Sequence, residues 1–217
     1  MKYKNVIWDF DGTLFDSYPA MVESFHLALK EFNIDESLEL IESLMKISVS
    51  TATDYITKKY NCSSFISRFN EIRKNIENDK CAPYPDTYKT CEAIVNQGGK
   101  NFIFTHRGSS TFELLVKYNL DTLFTKCITK ENGFDRKPSP DGIEYLVTKY
   151  KLDKSETIMV GDRELDILSG FNAGINTCFY NNENKPPISI ATLTITNLFE
   201  ITLVDSICFN QPIVLKN

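Results

Sequence analysis

The chain has 217 residues but only two histidines, and its six cysteines (Cys62, Cys81, Cys91, Cys127, Cys178 and Cys208) form no Cys-x-x-Cys pair. These absences exclude a zinc site of paired Cys or His ligands and a disulfide framework, so the thiols read as scattered and reduced. No long basic block occurs and the net charge is −5, which leaves nucleic acid no electrostatic footprint. No apolar run is long enough to cross a bilayer, and Met1-Lys2-Tyr3-Lys4 leads into a strand without an apolar signal segment. A cytoplasmic protein with no nucleic-acid or membrane partner is therefore expected. Internal repeats and low-complexity tracts are also lacking. What is present is an ordinary globular balance, 42% hydrophobic and 24% charged, long enough for one core with a small second domain.

Val6-Ile7-Trp8 reads as a short buried strand. From Ser17 the pattern turns helical, with Met21, Phe25, Leu29 and Phe32 at helical spacing. Further helices are predicted over 37–47, 51–60 and 65–76. The prolines of Ala82-Pro83-Tyr84-Pro85 mark a boundary. Beyond it, helices and short apolar strands alternate. Asp86 is a predicted N-cap for a helix to about Asn96, ended by Gly98-Gly99. Strands are predicted over 101–105, 157–160 and 175–179, and helices over 111–118, 140–150 and 165–173. An edge strand near 188–195 and a short helix near 198–204 complete the pattern. Alternation of this kind predicts an α/β fold, a parallel sheet covered on both faces. The helical stretch 17–82 interrupts the sheet after its first strand. It therefore reads as a cap above the carboxyl ends of the strands, where open α/β sheets bind ligands.

Chemistry concentrates at predicted strand ends. Trp8-Asp9-Phe10-Asp11-Gly12-Thr13-Leu14 places two carboxylates two residues apart where a strand gives way to a turn. Side chains so placed share a face and then diverge, so one can act as a nucleophile and the other as a proton carrier. Their mutual repulsion calls for a cation, and oxygen ligands suit Mg²⁺. Thr105 ends the strand 101–105 and precedes His106-Arg107-Gly108-Ser109, a turn suited to an anion. Lys137 sits in Arg136-Lys137-Pro138-Ser139-Pro140, its backbone restricted by the proline that follows. Gly161-Asp162-Arg163-Glu164-Leu165-Asp166 sets two aspartates four apart, on one face once a helix begins. Arg163 and Glu164 read as an ion pair at the helix start.

These four segments, in this order, resemble the four motifs of the haloacid dehalogenase-like hydrolase superfamily, over residues 4 to about 180. The cap after the first motif is similar to that of its helical-cap subgroup, which includes phosphoglycolate phosphatase-like enzymes, β-phosphoglucomutase and 2-haloacid dehalogenases. The resemblance implies a Rossmann-like core of residues 1–16 and 83–217, with a helical cap of residues 17–82. It implies that Asp9 attacks phosphorus to form an aspartyl-phosphate, and that Asp11 protonates the leaving oxygen and later takes a proton from water. Mg²⁺ would be held by Asp9, the Asp11 backbone carbonyl and Asp162, with Asp166 orienting that arrangement. Thr105 and Lys137 would bind the phosphoryl oxygens, and His106 and Arg107 would contact the leaving group or a second anion.

The dehalogenases lack the second carboxylate of the first motif, so Asp11 favours phosphoryl transfer. The expected activity is hydrolysis of a small phosphorylated metabolite by a monomer or weak homodimer. Two alternatives stand beside it. A β-phosphoglucomutase-type mutase is disfavoured by the lack of arginine and glycine in Met45-Lys46-Ile47-Ser48-Val49-Ser50. A non-catalytic binding or regulatory protein is disfavoured because no essential group is missing. The cap is expected to act as a mobile lid, with Lys46 and Ser48 shaping substrate preference.

Overall fold

The computed structural model describes residues 1–204; Cys208 lies outside them. The chain forms two compact units, one of Met1–Phe15 with the chain from Pro83 onward, the other Asp16–Ala82. The first strand, β1 (Asn5–Trp8), is buried along its whole length, as the apolar run Val6-Ile7-Trp8 requires. The chain then turns through residues 9–14 into β2 (Phe15–Asp16).

Between its strand residues Asp16 and Ala82 the second unit is built of four helices: α1 (Tyr18–Glu31), α2 (Leu38–Ile47), α3 (Val49–Tyr60) and α4 (Phe65–Lys80). Ser37 Oγ accepts the Leu40 N–H at 3.2 Å to start α2, and Ser48 Oγ accepts the Thr51 N–H at 2.9 Å to start α3. Such caps contribute about 1 kcal/mol each. Asn61 ends α3 in the left-handed conformation, φ 50°. The four apolar stripes bury Met21, Phe25, Leu29, Ile41, Ile56, Phe65 and Phe69 together. Phe25 meets Phe65 and Phe69 edge-on, at centroid distances of 4.9 and 5.0 Å. Each such fully buried side chain is worth about 1.5–3 kcal/mol.

The chain leaves this unit through β3 (Ala82–Pro83), which pairs with β2. The remainder alternates: α5 (Thr87–Asn96), β4 (Lys100–Phe104), α6 (Ser110–Lys117), β5 (Phe124–Ile128), α7 (Asp141–Tyr150), β6 (Thr157–Gly161), α8 (Glu164–Asn172), β7 (Asn176–Tyr180) and β8 (Leu193–Ile195). A 3₁₀ turn over Leu198–Leu203 follows. The main sheet has the order β5-β4-β1-β6-β7-β8, every pair parallel. This is the expected Rossmann-like α/β architecture. β1 is central, with Asn5 opposite Lys100 on one side and Thr157 on the other. The strand order reverses across β1, so the crevice beyond the carboxyl ends of β4, β1 and β6 is the topological switch point. Ile7, Phe102, Phe104, Met159, Ile143 and Leu146 form a core cluster below it. Asn101, buried in β4, accepts from Trp8 Nε1 at 3.0 Å and donates to Cys91 O at 2.9 Å, so its polar atoms are satisfied.

Two sequence readings need correction. The strand β5 was not expected: Phe-Thr-Lys-Cys-Ile buries only Cys127 and Ile128, too few to show as an apolar run. Asp86 holds the N-cap position of α5 with φ 64° and no side-chain capping bond; its carboxylate instead accepts from Asn197 Nδ2 at 3.0 Å. Among the described residues, Cys62, Cys81, Cys91, Cys127 and Cys178 form no disulfide, and no helix is long and apolar enough to cross a membrane.

Candidate active site

Asp9 is the residue immediately after β1, and its N–H continues the sheet pairing to Val160 O at 2.9 Å. The chain then curls back: the N–H groups of Leu14 and Phe15 both donate to Phe10 O, at 3.1 and 2.9 Å. Gly12 sits at φ 83° within that curl, a conformation a side chain would strain. The Phe10 and Phe15 rings stack at 4.4 Å and fix the turn from below. This turn separates the two carboxylates of the first motif, and each finds its own cation. Lys137 Nζ donates to Asp9 Oδ1 at 2.6 Å, while Arg107 Nη1 donates to Asp11 Oδ1 at 2.8 Å.

Lys137 arrives from the loop before α7, and its bond to Pro138 is cis. It is fully buried, and its ammonium also donates to Asp166 Oδ1 at 2.7 Å. The loop is held from two sides. His106 Nε2 accepts the Lys137 N–H at 2.8 Å, and Asn172 Nδ2 donates to Pro138 O at 3.0 Å. Burial, with Lys137 and Arg136 nearby, pushes the His106 pKa down to about 3, so the imidazole stays neutral and can accept that bond. Thr105, at the end of β4, is buried; its hydroxyl oxygen accepts the Arg107 N–H at 3.0 Å.

Asp162 follows β6, and α8 begins only at Glu164, so Asp162 and Asp166 converge across a strand end, not along one helix face. Gly161 makes this convergence possible. A Cβ there would stand 2.2 Å from Asp166 Cβ and 2.4 Å from its Cγ. Asp9, Asp162 and Asp166 each present an oxygen within 4.8 Å of the others, all three buried. Burial raises the pKa of Asp9, with the neighbouring Asp166 charge adding to it; burial raises that of Asp162 as well. Asp9 Oδ2 is buried without a hydrogen-bond partner among the described residues. An orphaned carboxylate oxygen among three converging carboxylates fits a hard divalent cation.

Sequence reasoning overlooked three participants. Arg163 turns to the carboxylates instead of pairing with Glu164, reaching Asp9 Oδ2 at 3.7 Å and Asp166 Oδ2 at 3.9 Å. Lys185 Nζ, in the loop after β7, lies 3.6 Å from Asp162 Oδ2. Thr13 Oγ1 donates to Asp162 Oδ1 at 3.3 Å. Their shared signal is position: each lies in a loop at the carboxyl end of β1, β6 or β7.

A family profile described as haloacid dehalogenase-like hydrolase matches residues 6–180. The chain belongs to that family and is an enzyme of its hydrolase class. Among curated relatives, pyrophosphatase PpaX of Oceanobacillus iheyensis is 26% identical over 180 residues, covering 82% of this chain and 83% of its own. Phosphoglycolate phosphatase of Aliivibrio fischeri is 27% identical over 200 residues, covering 86% and 88%. The HAD-hydrolase YfnB of Bacillus subtilis, in a crystal structure bound to magnesium, shares the fold. Its TM-score is 0.75 at 21% identity, over 93% of this chain and 97% of its own.

Proposed function

We propose that this hydrolase is a Mg²⁺-dependent phosphatase that cleaves a small phosphorylated metabolite through an aspartyl-phosphate. The observation that supports it most is the state of Asp9. It is a buried carboxylate at the switch point, held through Oδ1 by Lys137 while Oδ2 has no hydrogen bond among the described residues. The names of the curated relatives, pyrophosphatase and phosphoglycolate phosphatase, favour a phosphoryl group as the part attacked.

Asp9, Asp162 and the Asp11 backbone carbonyl would hold Mg²⁺, which when bound supplies positive charge to offset that of the phosphoryl oxygens. The chain's own groups account for the rest. Lys137 has three N–H donors and spends two on Asp9 and Asp166, leaving one for a phosphoryl oxygen. The Thr105 oxygen accepts from the turn, so its hydroxyl proton is directed to another acceptor, a second phosphoryl oxygen. The Asp9 carboxylate attacks phosphorus as the bond to the leaving oxygen breaks. Asp11, its direction fixed by Arg107, gives that oxygen a proton. Water then attacks the aspartyl-phosphate, Asp11 takes its proton, and phosphate departs with Asp9 restored.

The test is phosphate release from a panel of small phosphomonoesters and pyrophosphate, with Mg²⁺ and with EDTA. Release that requires Mg²⁺ is expected from at least one compound. Purified, folded protein that releases phosphate from none would point to a binding role.

A further inference from the structure

Arg163 stands where the proposed cation would act. It is the residue just before α8, and its backbone N–H donates to Asp166 Oδ2 at 3.2 Å. Its side chain is only 18% exposed, and the guanidinium reaches all three buried carboxylates: Asp9 Oδ2 at 3.7 Å, Asp166 Oδ2 at 3.9 Å and Asp162 Oδ1 at 4.0 Å. These separations differ in kind from those of Lys137, which forms two short hydrogen bonds of 2.6 and 2.7 Å. Arginine that binds a carboxylate for geometry does so through a fork of short parallel bonds. At 3.7–4.0 Å the attraction to these three groups is mainly one of charge, shared among them.

The charge balance gives this placement a meaning. Three buried carboxylates face two cations, Lys137 in direct contact and Arg163 at 3.7–4.0 Å. Lys185 stands at the edge of the cluster, shared between Asp162 and the exposed Glu183. The cluster is thus close to neutral without any metal. A divalent ion entering beside Asp9 Oδ2 would leave an excess of positive charge while Arg163 stayed in place. Two responses relieve that excess: the guanidinium moves away from Asp9, or a phosphoryl dianion arrives.

We propose that Arg163 is a positioning residue that serves as the internal counter-ion of the carboxylate cluster. A divalent cation binds Asp9 and Asp162 in competition with its guanidinium, and a phosphoryl anion strengthens that binding. This rests on the reading of Asp9 and Asp162 as the cation site. It adds that affinity for the cation is set by a residue of the chain and is coupled to the phosphoryl ligand. Coupling of this kind is reciprocal and typically about 5–150-fold.

The experiment is calorimetric titration of Mg²⁺ into the full chain at one pH, with and without inorganic phosphate, for wild type, Arg163→Gln and Arg163→Lys. Thermal unfolding is followed in EDTA and in saturating Mg²⁺. Three results are expected. Phosphate tightens Mg²⁺ binding to wild type at least about 5-fold. Arg163→Gln melts lower than wild type in EDTA but matches it in Mg²⁺, and binds Mg²⁺ without phosphate several-fold tighter. Arg163→Lys behaves as wild type in each respect. A merely structural role would lower the melting point of Arg163→Gln in both conditions alike. That outcome overturns the inference alone, as does unchanged Mg²⁺ affinity in Arg163→Gln. Wild type that binds no Mg²⁺ with or without phosphate overturns the cation site, and this inference with it.

Discussion

Lys137 is the side chain whose loss the structure constrains most tightly. It is fully buried and touches two buried carboxylates, Asp9 at 2.6 Å and Asp166 at 2.7 Å. Methionine in its place keeps the length of the stem and removes the charge. Removing one partner of a buried pair costs about 3–5 kcal/mol, because the other charge stays buried and uncompensated. For a chain of this size about 1 kcal/mol moves the melting point by ~2–4 °C, so Lys137→Met should melt roughly 6–20 °C lower in EDTA.

The loss should also depend on pH, with a definite sign. Burial raises the folded pKa values of Asp9 and Asp162 above the unfolded ones. In that window the folded state holds more protons than the unfolded state, so stability falls as pH rises. Lys137 holds the Asp9 value down, so without its cation that value rises further and the window extends upward. The penalty should therefore be larger at about pH 8 than at about pH 5.5. Adding Asp166→Asn should recover part of it, because one of the stranded charges is then gone. Urea and thermal unfolding in EDTA at both pH values provide the measurement. A Lys137→Met protein within about 1 kcal/mol of wild type at the higher pH, or one with equal losses at both, would refute the buried-pair reasoning.

Two further outcomes follow from the same geometry. Asp9→Asn keeps the shape of the side chain without a nucleophile, so turnover should vanish. Because burial and Asp166 already disfavour its ionised form, melting in EDTA should be equal or higher. Retention of even a tenth of wild-type turnover, about 1.4 kcal/mol of barrier, would mean a different group attacks. Gly161→Ala would set a methyl 2.2 Å from Asp166 Cβ, so Asp166 must move. We expect a stability loss of about 1–3 kcal/mol and weakened Mg²⁺ binding by calorimetry, and normal Mg²⁺ affinity would show that Asp166 is not needed where it stands.

The elements most legible in the sequence were those whose burial is complete. β1 and β6 read as apolar runs because both faces are covered, and α1 and α7 because their stripes keep the helical period. β5 escaped because a strand at the edge of the sheet needs few buried residues. Asp86 escaped because its left-handed backbone turns the carboxylate to Asn197, which no local pattern signals. At the candidate site, Asp9, Thr105, Lys137 and Asp162 were legible because each ends a strand or precedes a helix within a marked motif. Arg163 was not. An exposed pairing with Glu164 would be worth little, whereas three buried carboxylates attract the guanidinium strongly. That preference depends on side chains brought from Asp9 and Asp166, so it exists only in three dimensions. Lys185 was hidden for the same reason.

The parallel register of β1 has a consequence for how the molecule comes into being. Asp9 precedes its lysine partner by 128 positions in the chain, and Thr13 precedes Asp162 by 149. At ribosomal rates of about 5–20 residues per second, Asp9 is made roughly 8–30 s before Asp166. For most of that interval Asp9 has neither its ammonium partner nor its fellow carboxylates. Parallel pairing between distant strands is slow to form, and here β1 cannot complete its two flanks until β6 arrives. The carboxylate cluster thus comes together only after β6 and α8 have been made, long after the strand that begins it.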